Sequence, residues 1–200
     1  GSAISSSTAS SGAVTAVAWV YADSAIASST IISNWPVDSS SSTQFRLGFN
    51  STGKIALYIR QSNGTLIGPV TDPSTLTLDA WHSIGFTADS GVVTLYRDGR
   101  GVASTTYNST LADGGSYIGI GATLDNTNTP ESGVGSFDGV IDDVHIYNFG
   151  LTSSEMFYLA HVLPVPVTGL GATGNYRDGM TITWSASPAN EDVTDYVIQQ

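Results

Sequence analysis

Two adjacent aspartates, Asp142 and Asp143, interrupt the apolar run from Val140 to Tyr147. In a regular strand, side chains alternate between faces. Val140, Asp142, Val144 and Ile146 then share one face, and Ile141, Asp143, His145 and Tyr147 the other. An aspartate among Val and Ile is costly unless it is hydrogen-bonded or bound to a metal. Asp142 is therefore read either as a ligand of a structural calcium ion or as an acceptor of backbone N–H groups at a strand end. Asp143 is either a second calcium ligand or a solvated carboxylate. Calcium suits the pair because it takes several oxygens from carboxylates, backbone carbonyls and water.

Further candidates lie in loops. Residues 122–135, ATLDNTNTPESGVG, place Asp125, Asn126, Asn128 and Glu131 in one polar stretch. These are oxygen donors suited to calcium or to hydroxyl groups. Long loops are often functional, and the plain alternative is a surface connection. Trp35, in Ser33-Asn34-Trp35-Pro36, precedes a serine run. An indole there offers an apolar face to the C–H face of a sugar ring, or else packs over a sheet edge. Trp19 and Trp81 have apolar strand neighbours and are expected in the core, whereas Tyr58 and Tyr96 are expected on sheet surfaces. His82, His145 and His161 show none of the short spacings of zinc sites. His82 runs in step with Ile84 and Phe86, which fits a hydrogen-bonded core or rim histidine; His145 should face outward beside Tyr147.

Catalytic patterns are missing. A glycosidase needs two carboxylates flanking a bond, and the glutamates are only Glu131, Glu155 and Glu191. Adjacent aspartates on opposite strand faces cannot act together on one atom. No Gly-x-Ser-x-Gly elbow or phosphate-binding glycine loop occurs. The reading is non-enzymatic. Three Asn-x-Ser/Thr triplets, at Asn50, Asn63 and Asn108, are what a Ser/Thr/Asn-rich chain produces by chance.

The 200 residues carry 17 acidic and 6 basic side chains, a net charge of −11, with Lys54 the sole lysine. Phosphate-backbone binding needs clustered Lys and Arg, so nucleic acid is excluded as a partner. No apolar run is long enough to insert into a membrane. Cysteine is absent, so there is no disulfide framework.

The elements that must position these residues are strands. Strand-like runs recur at 14–21, 30–33, 44–49, 55–61, 81–88, 92–97, 116–120 and 140–147, with turn chemistry between them. Asn63-Gly64 and Asp98-Gly99 read as hairpin turns that need positive φ. Thr152-Ser-Ser-Glu155 reads as a capping box opening the one short helix. Residues 1–12 form a Ser/Ala-rich lead, possible end of a first strand, and 13–160 one β domain. Residues 161–167 form a proline linker. Residues 168–200 form a truncated segment whose strand patterns, at 167–172 from the linker's last residue, 180–187 and 196–199, are too few to close a sandwich alone. The chain is thus expected to be a piece of a longer modular protein.

Three blocks resemble the laminin-G-like, concanavalin A-like jelly-roll family over about residues 3–160. They are Gly139, Ile141-Asp142-Asp143-Val144, Ile146-Tyr147-Asn148, Leu151-Thr152 and Glu155; then Trp81-His82-Ser83-Ile84-Gly85-Phe86-Thr87 with Leu95-Tyr96-Arg97-Asp98-Gly99; and, more loosely, Ala16 to Tyr21. The resemblance implies an all-β, antiparallel jelly-roll β-sandwich with one short C-terminal helix, and a structural calcium ion near the Asp142 strand. Related glucanases carry a Glu-x-Asp-x-x-Glu strand motif, and this chain has none. The tail, with Trp184 and Tyr196, resembles the opening of a fibronectin type III domain. The family hosts many activities, so fold alone does not fix function. Two readings follow. The first is a non-catalytic recognition or adhesion module for glycans, extracellular or on a cell surface, with Trp35, Asp125, Asn126 and Asn128 at the ligand and Asp142 and Asp143 at the metal. The second is a structural or decoration domain of a virion or surface fibre, whose partner is a neighbouring subunit in a larger particle.

Overall fold

The computed structural model describes residues 12–25, 27–34, 44–112, 118–124 and 136–161, and the backbone of 171–175 and 179–183. The chain divides into two compact units, Gly1–His161 and Val162–Gln200.

The first unit is a sandwich of two five-stranded sheets, each built from antiparallel strand pairs. Its strands are β1 (Val14–Ala22), β2 (Thr30–Ser33), β3 (Phe45–Phe49), β4 (Ile55–Arg60), β5 (Leu66–Thr71), β6 (Trp81–Asp89), β7 (Val92–Arg97), β8 (Arg100–Thr106), β9 (Gly119–Ile120) and β10 (Gly139–Tyr147), followed by helix α1 (Ser153–His161). One sheet runs β10-β1-β6-β7-β8 and the other β5-β4-β3-β2-β9. The expected jelly-roll class is what is found.

Alternation builds the core. On β1, Val14, Ala16, Ala18, Val20 and Ala22 are buried between the sheets, as are Ile84, Phe86 and Ala88 on β6 and Val93 and Leu95 on β7. The other sheet contributes Phe45, Leu47 and Phe49 from β3 and Ile55, Leu57 and Ile59 from β4. Phe45 and Phe86 meet between the layers with ring centroids 5.0 Å apart. Burying a side chain of this size stabilises by about 1.5–3 kcal/mol, so this interleaved set holds the two sheets together.

Helix α1 covers part of the outer face of the first sheet. Met156 packs with Val17 and Tyr96 in a second apolar cluster, flanked by Leu151 and Leu159. Tyr96 therefore points outward, as its alternation demands, but the helix buries it, and its hydroxyl lies 3.1 Å from Ser153 Oγ. The capping box forms as read: Glu155 Oε2 accepts the Thr152 N–H at 2.7 Å, and Thr152 Oγ1 accepts the Glu155 N–H at 3.3 Å.

Strand β10 corrects the face assignment of the aspartates. Against β1, Trp19 pairs with Asp142 but Val17 pairs with His145, so two residues of β10 stand opposite one of β1. This is a β-bulge, with Asp143 in the left-handed region at φ 46°. The extra residue resets the alternation. Ile141, Val144 and Ile146 all pack on the core, while Asp142, Asp143 and His145 are exposed. Asp142 is thus not a carboxylate among Val and Ile, and no core penalty has to be met. Its Oδ1 accepts the Asp143 N–H at 2.9 Å.

Strands β5 and β8 carry no clear pattern in the sequence. Both are sheet edges, where one side goes unpaired and little apolar surface is needed. β5 contains Pro69, which fits only an edge. In the second unit, β11 (Gly171–Asn175) and β12 (Gly179–Thr183) form an antiparallel pair, Gly171 opposite Thr183. Trp184 and Tyr196, on which the fibronectin-like resemblance leans, lie outside the described residues.

Candidate functional site: an aromatic sheet face and a polar cleft

The odd-numbered residues of β1 point away from the core. Val17 lies under the helix, but Trp19 and Tyr21 lie beyond it and are partly exposed. Tyr21 pairs with Trp81 of β6 and Val140 of β10, and Trp19 pairs with Ser83 and Asp142. These six residues form two adjacent cross-strand rows on one face. Trp81 is 46% exposed and Val140 53%. Tyr21 and Trp81 meet edge to face at 5.8 Å. Trp19 is the diagonal neighbour of Trp81, about 7–8 Å away in such a lattice.

The expectation that Trp19 and Trp81 are core residues is therefore wrong. Both sit on strands with apolar neighbours, but those neighbours, Ala18, Val20 and Ile84, face the other way. The signal was available: His82 in step with Ile84 and Phe86 puts Trp81, Ser83 and Gly85 on the opposite face. Apolar character outweighed the period of two.

Polar groups border the aromatics. At the turn between β7 and β8, Asp98 accepts the Ser83 N–H at 3.1 Å and lies 3.0 Å from His82 Nδ1. Asp98 and Gly99 take φ of 51° and 71°, the hairpin conformation their types foretell. Its side chain is 44% exposed. Across the face stand Asp142 and Asp143, and beyond them Asp138, which accepts the Ser24 hydroxyl at 2.7 Å. The face thus offers aromatic surface beside the Asp142 and Asp143 carboxylates, while Asp98, held by His82, stays at the turn. His145, outward as expected, stacks at 6.1 Å on Tyr147, whose ring lies 5.3 Å from Phe149.

The opposite end of the sandwich holds an open cleft of about 650 Å³ lined by Gly12, Asp89, Ser90, Gly91, Tyr107 and residues 108–110. Buried Gln61 clamps its wall: Oε1 accepts the N–H groups of Asn108 and Ser109 at 2.9 and 2.8 Å. Burial raises the Tyr107 phenol above its ordinary pKa, so it stays protonated.

Other predicted site residues are placed as follows. Trp35, Asp125, Asn126 and Asn128 lie outside the described residues. Among the described residues, no three of His, Asp and Glu come together as a metal site. Asp142 and Asp143 supply exposed carboxylates side by side, part of the six to eight oxygens calcium takes. Water or residues outside the described set would have to complete the shell. No helix among the described residues is long and apolar enough to cross a membrane.

Residues 1–156 match the family model of the concanavalin A-like lectin/glucanases superfamily. No curated protein matches the chain. Among solved structures, the chain resembles a heptameric SAP-like pentraxin from Limulus polyphemus (16% identity, TM-score 0.60, 86% of this chain and 79% of that one). It also resembles the CBM40 module of the Ruminococcus gnavus IT-sialidase bound to α2,3-sialyllactose (16%, 0.58, 74% and 82%). A Bacteroides ovatus protein matches as well (15%, 0.57, 74% of this chain), and the chain spans 40% of that protein's length. With the family match covering most of its length and the sandwich in place, this chain belongs to the concanavalin A-like lectin/glucanase superfamily.

Proposed function

We propose that this chain is a non-catalytic glycan-binding module of a larger extracellular or surface protein. The observation that carries the reading is the solvent-reached cluster of Trp19, Tyr21 and Trp81 on one sheet face, with Asp142 in the same cross-strand row as Trp19. Indole and phenol faces match the C–H faces of pyranoses, and carboxylates accept hydroxyl protons. The open cleft is lined by one described carboxylate, Asp89, where glycoside hydrolysis requires two. A structural neighbour that is a carbohydrate-binding module supports the reading in kind. The test is a glycan array probed with and without calcium. Retention on glycans that Trp81→Ala abolishes supports it; a blank array removes it.

Calcium remains part of the proposal, at Asp142 and Asp143, because the bulge leaves both carboxylates exposed next to each other. A second reading, docking to a neighbouring subunit as a decoration domain, is favoured by exposed Phe149, Phe157 and Tyr158. Firm attachment to a larger particle together with a blank array would decide for it.

A further inference from the structure

We propose that the Trp19–Tyr21–Trp81 face takes a neutral polysaccharide chain laid across it and rejects anionic sugars. The inference rests on the glycan-binding reading and deepens it.

Shape is the first argument. The three aromatics lie on the pleated surface of consecutive strands, two of them on β1 itself and one opposite on β6. A terminal monosaccharide is held by a concavity that surrounds it, and the described cleft lies at the other end of the sheet, beside Asp89 and Ser90. A row of side chains on an open sheet instead stacks successive rings of one extended chain.

Charge is the second. Asp142 shares the cross-strand row of Trp19, with exposed Asp143 next to it on β10 and Asp138 just before the start of that strand. The described basic side chains lie elsewhere. Arg46 and Arg60 belong to β3 and β4, and Lys54 to the turn between them. Arg46 is drawn into its own sheet: Nε donates to Thr30 Oγ1 at 3.0 Å, and the guanidinium sits 5.7 Å over Tyr58. Arg97 is in phase with core-facing Val93 and Leu95, away from the aromatic face, and pairs at 2.9 Å with buried Asp72. Arg100 stands opposite Arg97 and shares its side. A sialic acid or uronate on the aromatic face would meet carboxylates with no described lysine or arginine to offset them. A neutral chain has only hydroxyls to donate, which those carboxylates accept.

The experiment is affinity electrophoresis of the whole chain in gels containing neutral polysaccharides (xyloglucan, galactomannan, arabinan, mixed-linkage β-glucan) or polygalacturonate, with sialyllactose titrated in solution. Wild type, Trp81→Ala and Tyr21→Ala are compared after thermal melts confirm folding. The expected result is retardation by at least one neutral polysaccharide, weakened about tenfold by Trp81→Ala, with none by the anionic ligands. Binding to an anionic ligand that Trp81→Ala removes would overturn the neutral class and leave the glycan reading standing. Neutral binding untouched by both variants would overturn the face as the site. Binding to no glycan in either experiment would remove both.

Discussion

Trp19 stands opposite Asp142 across the β1–β10 ladder, and the pairing exists only because Asp143 is bulged. In an unbroken register from Val17–His145, Trp19 would meet Asp143, and Asp142 would turn into the sandwich. One inserted residue turns an apparent buried acid into the polar border of an aromatic face.

Asp143 occupies the left-handed region at φ 46°, which costs ordinary L-residues about 1–2 kcal/mol and glycine little. Asp143→Val is expected to destabilise by about that amount, and Asp143→Gly to be neutral or stabilising. Urea denaturation of the two variants checks this. Equal stability of both would argue against the bulge.

Gly139 opens β10 at φ 139°, and a Cβ there would lie 2.0 Å from the Tyr21 carbonyl oxygen. Backbone cannot step aside as a side chain can. Gly139→Ala should cost several kcal/mol, on the order of a core truncation, and detach the start of β10 from β1. A melting curve matching wild type would contradict that placement.

Trp81 is about half exposed, and its ring meets that of Tyr21 edge to face. Trp81→Ala should therefore change stability by no more than about 1 kcal/mol while weakening glycan retention. Phe86→Ala, in the core, should show a loss of about 3–5 kcal/mol. The contrast separates a binding residue from a packing one.

Glu155 titrates below the ordinary glutamate range because it accepts the backbone N–H and hydroxyl of Thr152. A carboxylate whose folded pKa is depressed stabilises above its unfolded value, about 4.3, and that gain is lost as pH falls through the folded value. Thr152→Ala is expected to lower the melting temperature at pH 7, with the gap closing in the acid range below about 4. A gap independent of pH would show that the cap does not depend on the charge.

For calcium, chelation of metal-loaded protein should lower the melting temperature by about 2–4 °C, corresponding to about 1 kcal/mol. Asp142→Asn should abolish the difference. An unchanged melting temperature on chelation would remove calcium from the proposal.

Much of the architecture was written locally. Strand positions such as 30–33 and 92–97, the Asp98-Gly99 turn and the Thr152–Glu155 cap depend on residues close in sequence, through pleat periodicity, positive φ and capping geometry. The family resemblance could be read from the same segments, because they set the β10 and β6–β7 ladders. What only the tertiary structure decided was which way surfaces face and what covers them. The bulge is a property of two paired strands, and nothing in β10 alone announces it. Tyr96 and Trp19 sit on the same outer face, yet one is buried and the other partly exposed, because a helix from residues 153–161 lands on the first and stops short of the second. Burial is settled by what arrives from elsewhere in the chain, and that is why the aromatic face had to be found in three dimensions.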